Sequence, residues 1–127
     1  MSVTGLDHYN LRGSHELLDE LCAFYCDVVG LSVGERPPFN EFGYWLYAGD
    51  QAVLHLSLDD SARAGQSNSV FNHAAFRCKD FRGTKERLSE LNVAHRFNRV
   101  PGTTAVQLFL EDPAGNGVEL NFESEQG

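Results

Sequence analysis

Basic residues are scarce in this chain: 10 Lys and Arg stand against 18 Asp and Glu, for a net charge of −8. Without a basic stripe nothing would displace counterions from phosphates, so nucleic acid is not an expected partner. An acidic surface of this kind serves solubility first. No stretch approaches the roughly 20 apolar residues that a bilayer span needs. The opening residues MSVTGLDHYN also lack the basic start and apolar run of a targeting segment. No membrane association is expected. Cysteine is limited to Cys22, Cys26 and Cys78, an odd number without CxxC or zinc-finger spacing. This argues against a disulfide framework and for reduced thiols in a cytoplasmic protein. Cys22 and Cys26, four apart in a helical pattern, are expected to share a packed face.

What the chain does have is a duplication. LDHYNLR (residues 6–12) corresponds to FNHAAFR (71–77), and AVLHLSL (52–58) corresponds to NGVELNF (116–122). The four aligned polar residues are His8, His55, His73 and Glu119, at nearly equal separations within each half. Repetition at fixed spacing identifies a supersecondary unit used twice. Three imidazoles and one carboxylate are side chains that bind divalent transition metals. A length of 127 residues suits one domain built from two half-sized units rather than two independent ones.

Each half reads as strand, helix, then three strands. Ser14 caps a helix running to about Val29, with Leu17, Leu18, Leu21, Cys22, Phe24, Tyr25 and Val28 as its apolar stripe. Gly30 is placed to end it in a left-handed conformation. Extended structure resumes over 31–36, Pro37-Pro38 forces a loop, and 44–48 with 52–58 form a hairpin around Gly49-Asp50. The polar run DDSARAGQSNS (59–69) has the composition of a flexible connector. A strand over 71–78 follows, then a helix over about 81–91 capped by Asp80 and weakened by Gly83. Strands over 93–99, 104–111 and 117–122 complete the second half. The first module thus spans about 5–58 and the second about 70–123.

Strand alternation sorts these residues onto two faces. One carries Leu6, His8, Asn10, Val53, His55, Ser57, Phe71, His73, Ala75, Arg77, Glu119 and Asn121. The other carries Leu54, Leu56, Val118, Leu120 and Phe122, and suits packing under helices. All four candidate ligands share the first face, and a one-residue slip would bury every one of them. Leu46, Leu108 and Leu110 belong by character to the helix side. Trp45, Tyr47, Gln107 and Phe109 would then line a pocket with the ligands, as aromatic walls with a few polar groups do for small molecules. Arg77 shares that face and is the best placed of Arg36, Arg77 and Arg99 to fork onto an anionic substrate. His15 and His95 fall outside the pattern and read as surface residues.

The repeated βαβββ pattern, the His-bearing opening strands, FYCDVVGLSVGERPPF followed by YWLYAGDQAVLHL, and the ending DPAGNGVELNF resemble the vicinal oxygen chelate superfamily. The resemblance covers residues 6–122 and is nearest to small glyoxalase-like members. It implies an α+β fold in which two βαβββ modules form a cup-shaped, mostly antiparallel sheet with helices outside. It also implies a homodimer, and a divalent metal held by His8, His55, His73 and Glu119. Zn, Ni, Fe, Mn and Co all suit that donor set, and affinity order does not choose among them. The activity implied is a lyase or isomerase acting through vicinal oxygens of a small substrate, with Glu119 and His55 as acid–base groups. His55 stands where glyoxalase I carries a second carboxylate. His8, His73 and Glu119 alone form the two-His-one-carboxylate set of non-haem iron oxygenases, so an Fe(II) ring-cleaving dioxygenase is the alternative enzyme. There Tyr44 or Tyr47 would assist. A ligand-sequestering protein of the bleomycin-resistance type is the non-enzyme alternative.

Overall fold

The computed structural model describes residues 4–61 and 71–126. The chain divides into two compact units, Met1–Ala64 and Gly65–Gly127. The connector expected over 59–69 lies outside the described residues from position 62 onward. No helix among the described residues is long and apolar enough to cross a membrane.

In the first unit, β1 (Tyr9–Gly13) leads to α1 (His15–Phe24) and then to β2 (Ser32–Gly34), β3 (Gly43–Ala48) and β4 (Gln51–Leu58). Its sheet runs β1-β4-β3-β2, with β1 parallel to β4 and the other two pairs antiparallel. The second unit repeats this with β5 (His73–Arg77), α2 (Phe81–Glu90), β6 (Arg96–Arg99), β7 (Val106–Glu111) and β8 (Gly117–Phe122). Its order is β5-β8-β7-β6, again with the outer pair β5 and β8 parallel. Two four-stranded, mostly antiparallel sheets, each with one helix, are the expected α+β fold.

The cores follow the alternation read from the sequence. Leu46, Leu54 and Leu56 are wholly buried with Leu18, Leu21 and Tyr25 of the helical segment. In the second unit Val106, Leu108, Leu110, Val118, Leu120 and Phe122 are buried with Phe81 and Leu88 of α2, and the Phe81 and Phe122 rings meet edge to face at 5.4 Å. Burial of each such side chain stabilises the fold by about 1.5–3 kcal/mol.

Local chemistry sets the boundaries. The Ser14 side chain accepts from Leu17 N–H and starts α1, and Gly30 at φ 99° ends the helical segment. Before that end the helix widens into a π-helical turn, Tyr25–Val29. The Tyr25 carbonyl there accepts from both Gly30 and Leu31 N–H. Apolar periodicity does not distinguish this turn from an ordinary helix end. Two opening strands are shorter than their hydrophobic patterns suggested. β1 starts at Tyr9 rather than near Leu6, and β5 at His73 rather than near Phe71, where the parallel registers with β4 and β8 begin.

Candidate functional site

In both units the candidate donors lie at the start of the parallel strand pair. Asn10 pairs with His55 in register, and Ala75 pairs with Glu119. His8 and His73 each precede that register partner by two residues, so each lies diagonally beside its partner on the same face. Both halves thus build the same offset.

The second unit brings its pair together: His73 Nε2 lies 3.3 Å from Glu119 Oε1. Asn72 Oδ1 accepts from His73 Nδ1 at 2.8 Å, which leaves the Nε2 lone pair turned toward the carboxylate. Two acceptors this close need a cation between them, whether a proton or a metal ion. The spacing suits neighbouring donors on one ion with bonds of about 2.0–2.2 Å. Glu119 is 7% exposed, and its second oxygen accepts from Gln107 Nε2 at 3.1 Å. Gln107 Oε1 in turn accepts from Asn98 Nδ2 at 2.8 Å. The chain Asn72–His73–Glu119–Gln107–Asn98 thus holds the carboxylate in one orientation. Gly117 makes the close approach possible, because a Cβ there would lie 2.6 Å from the Asn72 carbonyl and 2.8 Å from His73 Cβ.

The first unit arranges its pair differently. His8 Nδ1 donates to Asp7 Oδ1 at 2.6 Å, the counterpart of the Asn72–His73 contact, so Nε2 is again left to bind. His55 is sandwiched: its ring stacks on His8 at 3.7 Å and 15°, and on Trp45 at 3.9 Å and 8°. Its Nε2 donates to the Ala52 carbonyl at 3.2 Å, leaving Nδ1 with the lone pair. Burial, then the neighbouring His8, lowers the His55 pKa and keeps the imidazole neutral. Lone pairs lie in the ring planes, so two parallel rings cannot both direct one at the same ion until one ring turns. Among the described residues no group of three or more His, Cys, Asp or Glu converges as a metal cluster. The structure brings the candidate donors together as two pairs.

The expected pocket residues divide. Trp45 is the register partner of His55 and Phe109 that of Glu119, which puts both on the donor face with Gln107. Tyr47 packs its ring against Gly34 and donates its hydroxyl to the Glu35 carbonyl. Tyr44 donates to Asp19 of α1 and so belongs to the helix side, away from His55. Arg77 pairs in register with Asn121 on the donor face. Arg36 packs over Phe39 and reaches Glu41, while Arg99 pairs with Glu125.

A cleft of about 690 Å³ opens in the second unit, lined among others by His73, His95, Arg96, Phe109 and Glu111. His95, expected at the surface, is half-buried with Nδ1 donating to the Val93 carbonyl. Sequence reasoning missed Asp7, Asn72 and Arg96. The first two had a visible signal, since both immediately precede the aligned histidines. Arg96 had none, because its strand has no clear counterpart motif in the first half.

A family model for the Glyoxalase/Bleomycin resistance protein/Dioxygenase superfamily matches residues 5–120. The chain belongs to this superfamily. None of the curated proteins matches the sequence. Among solved structures, a lactoylglutathione lyase from Agrobacterium tumefaciens is 26% identical with a TM-score of 0.66, covering 96% of each chain. A glyoxylase/bleomycin resistance protein/dioxygenase domain from Frankia sp. EAN1pec has a TM-score of 0.76 at 16% identity, covering 96% of this chain and 99% of that one. An antibiotic binding protein from Streptomyces sp. CB03234 has a TM-score of 0.69 at 21% identity, covering 98% and 99%. A lactoylglutathione lyase and an antibiotic binding protein thus share this fold.

Proposed function

We propose that this chain is a metal-dependent, glyoxalase-like lyase or isomerase acting on a small substrate through vicinal oxygens. The observation that carries the reading is the His73–Glu119 pair, two acceptors 3.3 Å apart that call for a shared cation. The likeness to the A. tumefaciens lyase supports the same class.

In this reading the donor set is His8, His73 and Glu119, and the contacts to Asp7 and Asn72 leave Nε2 of each histidine free to bind an ion. When bound, the ion polarises two neighbouring substrate oxygens as a Lewis acid. His55, neutral and held between Trp45 and His8, takes a proton from the substrate carbon through Nδ1 and returns it to the neighbouring carbon. It becomes a fourth donor only by turning out of that stack. Trp45 and Phe109 lie beside His55 and Glu119 in their own sheets, and Gln107 keeps Glu119 oriented. The chain is proposed to work as a cytoplasmic homodimer.

Metal content and turnover, measured on one set of variants, test these roles. His8→Ala, His73→Ala and Glu119→Ala should each weaken Zn(II) or Ni(II) binding by roughly 10–100-fold or more. His55→Ala should keep the ion and lose roughly 10²–10⁴-fold in turnover of a hemithioacetal. Metal content unchanged in all four variants would overturn the assignment. Fe(II)-dependent oxygen uptake with catechols, without hemithioacetal turnover, would replace the lyase with a dioxygenase.

A further inference from the structure

One rung of the second sheet runs Ala75, Glu119, Phe109, Arg96. Residues paired on a rung project to the same side. Arg96 therefore faces the side that Glu119 faces, two strands away, or about 10 Å at the usual strand spacing. Between them lies Phe109, and the Arg96 guanidinium sits over its ring, 5.1 Å from the centroid. Arg96 forms no ion pair among the described residues. It lines the 690 Å³ cleft together with His73, His95 and Glu111.

We propose that Arg96 is the substrate anchor of this site, and that the substrate is a small monocarboxylate lying across Phe109 with its reacting oxygens at the Glu119 end. The assignment names a substrate class for the proposed reaction, and only its Glu119 end depends on that reading. A guanidinium stacked on an aromatic face keeps its N–H edge free, and that edge forks onto a carboxylate. The Phe109 ring gives the carbon skeleton an apolar floor. His95, with Nδ1 spent on the Val93 carbonyl, offers Nε2 as an acceptor for a substrate hydroxyl. The Glu111 carboxylate in the same cleft disfavours a dianion such as a phosphate monoester.

Titration calorimetry on the full chain, without added metal and then with Zn(II), tests this using benzoate, benzamide and phenyl phosphate as probes. Benzoate should bind roughly tenfold or more tighter than either of the others, as a charge-assisted fork implies. Arg96→Gln should reduce benzoate to the benzamide level. Arg96→Lys should recover only part of the difference, since an ammonium lacks the fork. Equal binding of benzoate and benzamide, an unchanged preference in Arg96→Gln, or tighter phenyl phosphate would each overturn the proposal. Zn(II) binding by the same proteins separates the two readings. Zinc bound without benzoate preference sinks the anchor alone, and benzoate preference without zinc sinks the metal reading alone.

Discussion

At the scale of single residues, hydrogen-bond direction decides what each titratable group can do. The Tyr44 hydroxyl donates to Asp19 at 2.6 Å, and this bond, with burial, pushes its pKa from 10 up to about 12. The folded pKa lies above the unfolded one, so the contribution is fully present below pH 10 and is lost as pH rises through about 12. Absorbance titration at 295 nm should show a tyrosine ionising near pH 12. Tyr44→Phe should remove that late step and flatten the fall in stability between pH 10 and 12. A late step that persists in Tyr44→Phe belongs to another tyrosine. The thiols lean the same way. Burial and the neighbouring Cys26 push Cys22 up to about 11, and burial raises Cys78, so both stay protonated and sluggish as nucleophiles near pH 7. The four-residue spacing anticipated that Cys22 and Cys26 are neighbours, and both are half-buried. The His55 sandwich was not legible, because stacking depends on side-chain rotation about a register that alternation leaves open.

At the scale of elements, Gly83 shows how a residue read as a weakness acquires a reason. Propensity alone marks it as a cost of about 1 kcal/mol in α2. In the structure the Asp80 side chain accepts from Gly83 N–H at 3.1 Å, and a Cβ at that position would lie 2.2 Å from Asp80 Oδ2. The missing methyl makes room for the cap. Gly83→Ala should therefore forfeit the cap, worth about 0.5–2 kcal/mol, and show no net stabilisation in urea unfolding. A gain near 1 kcal/mol would mean that the cap accommodates the methyl. Element order was legible, because most strands and α1 keep two-residue or helical apolar periods, whereas the π-helical turn Tyr25–Val29 was not. Boundaries were less legible. Leu6 and Phe71 look like strand residues, but the parallel registers begin only at Tyr9 and His73. The face of each side chain was also legible: Leu46, Leu54, Leu108 and Leu120 are buried, with Trp45, His55, Phe109 and Glu119 next to them in sequence on the opposite side.

At the scale of the whole molecule, the proposed homodimer is open to direct measurement. Light scattering after size-exclusion chromatography should give twice the 14.1 kDa of one chain, whereas a monomeric mass would leave each chain to supply all its donors alone. The superfamily and the fold could be read from the duplication. The reaction could not, since it depends on how four side chains turn rather than on which residue types they are.

The parallel pairing of β1 with β4 and of β5 with β8 has a kinetic consequence. Each donor pair joins the two ends of its unit, so neither pair exists until a long loop has closed and the intervening helix and hairpin have packed. Such non-local closure is slow relative to local structure. A metal ion meeting the unfolded chain would find four scattered side chains with no common geometry. In the proposed metalloprotein, metal capture would then be a late event, and a bound ion would act as a clasp that slows unfolding by tying first strand to last.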